Sequence, residues 1–399
     1  MTTMSAENFK LTSESKFGTV ALGVGVAGIV ASVAGLFIDH KTFFFAYLVA
    51  FMFWMAIALG GLFFTMVHHL VGAEWSIVLR RIPETLASAI PMMAILFIPI
   101  VLGMHNLYEW SHAEVVASDP ILQHKSAWLN PTAFTIRAYI YFGLWTLIAW
   151  TLYKASLEQD GGKDVTEKMR GVSAPSMIVF ALSITAAAFD WLMSLDPHWF
   201  STIFGVYFFA GSWWTTLAFV VLFSMYLRSK SKLGEVMTIE HYHDLGKLMF
   251  GFTVFWTYIA FSQFMLIWYG NIPEETIWYK HRWEHGWEHV SLFLVIGHFI
   301  LPFLVLIFRA SKRNFTVMKI AASWFLLMEF VDLYWLIMPT FNIVNPDAHH
   351  GLHFSWQHLA TFLGVGGVFL WFVWNRLTSA SIVPVGDPRI EASIHLKNA

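Results

Sequence analysis

The sequence contains no cysteine among its 399 residues. This absence excludes disulfides, thiolate chemistry, cysteine-ligated iron–sulfur clusters and haem attached through a C-x-x-C-H motif. Charged residues are also scarce, at 13% of the chain against 57% hydrophobic residues. Because so little polar surface cannot coat a soluble protein of this size, the composition indicates an integral membrane protein. The formal net charge of −2 gives no electrostatic signature of nucleic-acid binding.

Long apolar sequence is abundant. Ten runs have roughly the 20 residues needed to cross a bilayer core, so the chain is predicted to be all-α with ten transmembrane helices in residues 17–374. Polar tails are predicted at 1–16 and 375–399. Pro91 and Pro99 predict kinks in the third run rather than a break. The runs are Phe17–Ile38, Phe43–His69, Thr85–Met104, Phe134–Lys154, Ala174–Met193, Ile203–Leu227, Leu245–Tyr269, Glu288–Arg309, Val317–Met338 and Ser355–Trp374.

The first run carries a stripe of small residues. Their spacing of four and three places them on one helix face, which lets another helix approach closely. Packing within the same chain is the favoured interpretation. The stripe consists of Ala21, Gly25, Gly28, Ser32 and Gly35.

The basic residues are distributed unevenly between the two sides of the predicted membrane domain. The side with both tails carries all but five of the 24 lysines and arginines. By the positive-inside rule, both termini are predicted to be cytoplasmic, and the other side is periplasmic if the host is a Gram-negative bacterium. The five residues on the other side are Lys41, Lys125, Arg137, Lys280 and Arg282.

Histidine is distributed the opposite way, with 12 of 18 residues on the outer side. They are interpreted either as ordinary interfacial polar residues or as a docking or proton-collecting surface, because histidine titrates near pH ~6.5. Three of them belong to HRWEHGWEH, which contains the inverted zinc-protease pattern H-x-x-E-H. A third zinc ligand and a cleft are not evident, so no metal site is assigned. The 12 are His40, His105, His112, His124, His198, His281, His285, His289, His349, His350, His353 and His358.

Ionisable residues inside apolar runs are the main candidates for function. His298 and Glu329 lie about halfway along consecutive antiparallel runs, so they are expected to meet near the membrane centre. Asp332 continues the polar line outward on the same helix face, and Asp190 lies near that outer level. A charge at such depth costs ~2.5–3.5 kcal/mol, so these groups should be paired or protonated. They are interpreted as proton-path residues or as interhelical hydrogen bonds that fix packing.

A separate candidate cluster is predicted at the cytoplasmic end of the second run. It contains His68, His69 and Glu74. A haem b would need two histidines on facing helices at one depth. Because His298 is the only histidine near the midplane, haem b is not expected.

Three stretches resemble one family. They are the hairpin FDWLMSLDPHWFSTIFGVYFFAGS at Phe189–Ser212, MVHHLVGAEWSIVLRR at Met66–Arg81 and LNPTAFTIRAYIYF at Leu129–Phe142. Together they are similar to the polysulfide-reductase-type (NrfD-like) membrane subunits of alternative complex III, a quinol:cytochrome c oxidoreductase of bacterial respiratory chains. Within the hairpin, Asp196-Pro197 is typical of an N-cap and first-turn pair for the following helix.

The resemblance implies two four-helix bundles, at about 43–193 and 203–338, flanked by the first and last helices. It implies the bacterial inner membrane and several partners: a sister NrfD-like subunit, a periplasmic iron–sulfur protein, multihaem and monohaem cytochromes c, small membrane subunits and lipids. It usually places quinol oxidation in the sister subunit. A quinone is therefore only a possible ligand here, and no covalently bound cofactor is expected.

Three functions remain open from the sequence. The preferred hypothesis is a subunit of a quinol-oxidising respiratory complex that has no redox centre of its own and provides a transmembrane proton path. The alternatives are a purely structural anchor and an independent secondary transporter. A transporter commonly has broken helices in corresponding positions of two halves, and Pro91 and Pro99 have no evident counterpart in the second half.

Overall fold

The fold is described by a computed structural model for residues 6–11, 16–345 and 351–398. Within these residues the secondary structure is helical, apart from an isolated bridge between Lys10 and Ser381. In this described part of the chain, ten helices are long and apolar enough to cross a membrane, which confirms the predicted all-α, multi-pass architecture. They are α1 (Phe17–Ile38), α2 (His40–Leu70), α3 (Arg81–Leu102), α4 (Pro131–Asp160), α5 (Thr166–Leu195), α6 (Phe204–Lys230), α7 (Ile239–Gly270), α8 (Trp287–Leu306), α9 (Phe315–Val344) and α10 (Trp356–Thr378).

Short helices connect these spans or lie at the chain ends. Small polar residues mark several boundaries: the Asn130 side chain accepts from the Ala133 N–H at the start of α4, and Asn271 ends α7 at a left-handed φ of 47°. The predicted cap at Asp196-Pro197 is wrong, because α6 begins only at Phe204. The short helices are Ala6–Phe9, Ile77–Leu79, Met104–Leu107, Glu109–Ser111, Ala113–Ser118, Pro120–Lys125, Leu233–Val236, Pro273–Lys280, Arg309–Lys312 and Ile390–Ile394.

Helices α2 and α6 form the centre of the molecule. The membrane-crossing part of α2 is buried along its whole length, and that of α6 is buried over 83% of its residues. α2 packs against α3, α5, α6, α9 and α10, whereas α6 packs against α2, α5, α7 and α9. The remaining helices surround this pair, so side chains of α6 and α9 that face each other lie far from lipid.

Helices α1 and α10 pack on each other through glycines. The buried positions of α1 are the predicted small-residue stripe together with Gly18. A Cβ added at Gly28 would lie 2.4 Å from the Gly364 nitrogen, and one added at Gly25 would lie 2.8 Å from the Val368 nitrogen. The two backbones therefore touch, and the partner of the stripe is a helix of the same chain, as predicted.

Helices α3 and α8 are interrupted within the membrane-crossing part of the chain. α3 consists of the segments Arg81–Ala87, Ile90–Leu96 and Ile98–Leu102, with Pro91 and Pro99 in the first turns of the second and third. α8 contains a π-helical segment at Val295–Ile300, just before Pro302. Because proline has no N–H, Pro302 cannot donate a hydrogen bond to the carbonyl four residues earlier, and the helical turn widens at this point. The second half of the chain thus contains an interruption that the sequence analysis did not anticipate.

Both described chain ends lie on one face of the helical domain, here called the basic face. Ile382 N–H donates to the Phe9 carbonyl at 3.0 Å, so the two terminal segments are in contact. The C-terminal segment is packed rather than extended: Val383 is fully buried and Asp387 is only 2% exposed. Residues predicted to be a simple tail therefore cover part of the basic face.

Candidate functional site

Helices α8 and α9 bring three ionisable side chains into one buried cluster, here called the His298 cluster: His298, Glu329 and Asp332. One ligand atom from each lies within 4.8 Å of the others, and each residue is at most 2% exposed. Glu329 is midway along α9, about 21 Å from its first residue at ~1.5 Å per residue. The predicted meeting of His298 with Glu329 is therefore confirmed as geometry, and Asp332 lies in the same cluster.

The imidazole of His298 is held between two indole rings. Its centroid lies 3.6 Å from that of Trp256 and 3.9 Å from that of Trp214, with nearly parallel planes. Trp214 stacks in turn on Phe325 at 3.7 Å. This stack fixes the orientation of the imidazole ring. Its two nitrogens can therefore bond only to groups that lie in the plane of the imidazole, between the two indole rings.

Three polar atoms of the cluster lack hydrogen-bond partners within the described part of the chain. They are both ring nitrogens of His298 and Oε2 of Glu329. A neutral imidazole has one donor and one acceptor nitrogen, and buried polar atoms are normally paired with protein or ordered water. These orphaned atoms are suited to exchange a proton, directly or through water. The π-helical segment that carries His298 is a kind of irregularity frequent at functional sites.

Helix α6 forms the third wall of the cluster. The Tyr207 hydroxyl donates to Oδ1 of Asp332 at 2.5 Å. One turn later, Gly211 lies against Glu329: an added Cβ would be 3.0 Å from Oε2. A larger residue than glycine would displace the carboxylate, so the backbone of α6 helps to set its position.

A mostly apolar cavity of about 670 Å³ lies between α7 and α8 on the side of the cluster away from the basic face. Tyr207 lines its inner part, while Gln263 and Tyr279 line it further out. Gln263 donates to the Tyr279 hydroxyl at 3.2 Å and accepts from the Ser201 hydroxyl at 2.9 Å. Polar groups therefore continue from Asp332 toward the face opposite the basic face.

A buried cation lies near this outer end of the cluster. The Arg282 guanidinium donates to the carbonyls of Trp278 and Leu336 at 2.9 Å each and to that of Trp335 at 3.2 Å. It also lies 3.3 Å from the Trp278 ring centroid. Burial lowers the pKa of Arg282 to about 9, and the group remains cationic at neutral pH.

Asp190 lies in a separate site, where its hydrogen-bond partners among the described residues differ from those of the His298 cluster. Its carboxylate accepts from Arg137 through two nitrogens at 2.8 Å each, from Trp128 Nε1 at 2.8 Å and from the Tyr141 hydroxyl at 2.9 Å. Asp190 is fully buried and Arg137 is 15% exposed. Four donors saturate this carboxylate, which favours a structural role over the predicted outer end of a proton path.

The predicted cluster of His68, His69 and Glu74 does not form as expected. Glu74 is exposed on the surface, whereas the two histidines are buried. The His68 imidazole stacks on Phe64 with centroids 3.8 Å apart and bonds the Phe64 carbonyl at 2.7 Å. Both contacts lie within α2, near its end at the basic face.

A buried ionic network, unforeseen from the sequence, lies beside these histidines. Arg80 bonds Glu84 at 3.0 Å and Asp387 at 2.6 Å, while Arg81 bonds Asp160 at 2.6 Å and Glu84 at 3.3 Å. These bonds attach the C-terminal segment to α3 and α4.

Asp387 is the member of this network that comes from the C-terminal segment. Burial acts to raise the pKa of its carboxyl, but Arg80 and Arg389 outweigh burial and hold the pKa below its ordinary value of 3.8. The carboxylate is therefore charged and paired at neutral pH.

The histidines of the outer face do not make one uniform surface. His358 is 1% exposed, and His198 pairs with Asp119 at 2.5 Å. His285 and Gly286 adopt left-handed φ values of 56° and 94°, so residues 281–289 are not one continuous helix. Among the described residues, the histidines of that stretch do not converge as metal ligands. His349 and His350 lie outside the described residues.

The side chains around the His298 cluster that sequence reasoning missed are mainly aromatic. Trp214, Trp256 and Tyr207 lie on α6 and α7, and nothing in their local sequence distinguishes them from membrane-interface aromatics.

His298, Glu329 and Asp332 together offer three ligand atoms at a spacing that a cation with an open coordination position could use. With no cation, the same groups can bind and pass a proton.

Comparison of the sequence with models of known protein families and with curated proteins gave no match.

Proposed function

We propose that this chain is a membrane subunit of a quinol-oxidising respiratory complex and that the His298 cluster is the central part of a transmembrane proton path. The observation that carries the proposal is the meeting of a histidine and two carboxylates, all buried near the membrane centre, with three unpaired polar atoms. Ionisable groups inside a bilayer are costly and usually functional. The chain has no redox role of its own in this proposal, and quinol oxidation belongs to the sister NrfD-like subunit.

The assembly and its location are part of the same proposal. The sequence resemblance supports partnership with a periplasmic iron–sulfur protein, cytochromes c and small membrane subunits in a bacterial inner membrane. The excess of basic residues supports a cytoplasmic position for the basic face and both termini. In this orientation Tyr207 and Asp332 are the periplasmic end of the cluster, and Glu329 is its cytoplasmic end.

Substitution of Glu329 in the purified complex tests the proton path. Glu329→Gln keeps the shape of the side chain but removes its ability to release a proton. The number of protons released per quinol beyond the two that quinol oxidation itself supplies should therefore fall by at least about tenfold. His298→Phe keeps an aromatic ring between Trp214 and Trp256 and should give a similar loss. Proton release is measured in proteoliposomes with a pH-sensitive dye while cytochrome c reduction is followed optically.

The matched control is Glu74→Gln, an acid-to-amide change at an exposed site of the basic face. It should leave proton release and electron transfer unchanged. Unchanged proton release in both Glu329→Gln and His298→Phe would eliminate the path and favour a structural anchor. Metal analysis of the same samples checks the cation-binding alternative, since a bound divalent ion would be lost in both variants.

The interruption in α8 gives the transporter alternative one specific supporting feature. Transporters commonly place ion sites at discontinuous helices near the membrane centre, and His298 lies on such a segment. Gentle solubilisation separates the two functions. A respiratory subunit copurifies with c-type cytochromes, which absorb visible light, whereas a transporter elutes alone or as a homo-oligomer.

A further inference from the structure

A groove of about 840 Å³ opens at the basic face between the end of α6 and the start of α9. Arg228 and Lys319 form its polar mouth, and Phe315 forms one wall. Further into the membrane it is lined by Ile320 and Leu327. The groove is thus cationic at one end and apolar at the other, which is the polarity of a phospholipid with an anionic headgroup.

The two cations at the mouth are available to an anion. Arg228 is half-buried and donates one hydrogen bond, at 2.5 Å, to the Met237 carbonyl, and its guanidinium lies 4.9 Å from the Phe315 ring centroid. In the described part of the chain neither Arg228 nor Lys319 forms an ion pair with an acidic side chain. A guanidinium has five N–H donors in a fork that matches a phosphate, so most of its donors remain for a ligand.

The groove also has the depth of one lipid leaflet. It runs along α9 from Thr316 to Leu327, which is about 16 Å at ~1.5 Å per residue. That distance is about half of a hydrocarbon core ~30 Å thick. Ile320 is 65% exposed and Leu327 is 48% exposed, so both present apolar surface to an acyl chain.

We propose that this groove is a binding site for one anionic phospholipid. The phosphodiester lies between Arg228 and Lys319, and one acyl chain follows α9 past Ile320 to Leu327. Neighbouring lipid of the same leaflet supplies the ligand. Clusters of basic residues at the cytoplasmic membrane surface attract anionic headgroups, while the fixed position of Arg228 over Phe315 gives this site its geometry.

Native mass spectrometry of the full-length protein tests the site. The protein is delipidated in mild detergent and titrated with phosphatidylglycerol or with phosphatidylcholine of the same chain length. Wild-type protein should bind one phosphatidylglycerol at least about tenfold more tightly than phosphatidylcholine. The double variant Arg228→Gln/Lys319→Gln should lose that preference, whereas Lys163→Gln/Lys230→Gln should keep it. The control removes the same charge from exposed positions of the same face.

A second variant tests the apolar end without changing charge. Ser323→Trp fills the groove from α9 and should weaken phosphatidylglycerol binding by about tenfold, because the acyl chain loses its place. Inorganic phosphate at millimolar concentration should compete poorly. The proposal is overturned if the two double variants bind alike, if phosphatidylcholine binds as tightly as phosphatidylglycerol, if Ser323→Trp has no effect, or if inorganic phosphate displaces the lipid completely.

Discussion

The contact between α1 and α10 makes a prediction whose size follows from the backbone geometry. A Cβ at Gly28 would lie 2.4 Å from the Gly364 nitrogen and 2.9 Å from the Ala360 carbonyl oxygen. Ordinary contacts of this kind begin near 3.4 Å, so the helices must separate by about 1 Å to admit one methyl group. Overpacking of this kind typically costs ~1–3 kcal/mol. We therefore expect Gly28→Ala to lower the free energy of unfolding by about that amount, and Gly28→Leu by more.

The same helix offers a matched control. Gly23 has no atom within 4 Å of an added Cβ, so Gly23→Ala and Gly23→Leu carry the same change in helix propensity and in apolar surface without the steric conflict. Neither should lower the free energy of unfolding, because replacing a glycine inside a helix gains ~0.5–1 kcal/mol of helix propensity. The four variants are compared by thermal and denaturant-induced unfolding in detergent micelles, followed by tryptophan fluorescence. Equal stability of Gly28→Leu and Gly23→Leu would refute the close backbone contact.

Three further predictions concern buried charges. Arg137→Gln leaves the fully buried Asp190 carboxylate without its cation and should lower the free energy of unfolding, measured thermally, by about 3–5 kcal/mol. The control Arg170→Gln, at an exposed ion pair, should lower it by almost nothing. Equal effects of the two variants would disprove the pairing of Arg137 with Asp190. Because the pKa of Asp387 is lower in the folded protein, its stabilising contribution is complete above pH ~3.8 and is lost as the pH falls through the lower folded-state value. The C-terminal segment should therefore become sensitive to pepsin only below that pH, and Asp387→Asn should expose it to trypsin at pH 7. Arg282→Lys keeps the charge but loses the planar guanidinium that reaches three carbonyls, so the free energy of unfolding measured in denaturant should fall by about 2–3 kcal/mol. An unchanged free energy of unfolding would contradict these three hydrogen bonds.

The membrane spans were predictable because each is a long apolar run, and a bilayer sets the length of a helix that crosses it. Counting residues from the membrane ends also predicted that His298 and Glu329 meet. Depth alone does not say which way a side chain faces, and for that reason Glu74 was wrongly grouped with His68 and His69. In the structure Glu74 is exposed, whereas both histidines are buried.

The sequence could not predict which side chains from different helices contact each other. Arg137 was counted only as a basic residue of the outer side, yet it neutralises Asp190 from another helix. The tryptophans that enclose His298 come from α6 and α7, and single-sequence periodicity carries no signal for such contacts. The π-helical segment had one local signal, Pro302, because a proline inside a helix removes a backbone donor.

The glycine contact between α1 and α10 also constrains how the protein is made. α1 leaves the ribosome well before α10, but the side chain that bonds the Gly35 carbonyl belongs to Gln357, 322 residues further along the chain. Until α10 is synthesised, the small-residue face of α1 must remain covered by lipid, by an insertion factor or by a temporary helix partner. Helices α1 and α10 therefore come together late in synthesis, and a chain that stops before α10 leaves α1 without its final neighbour.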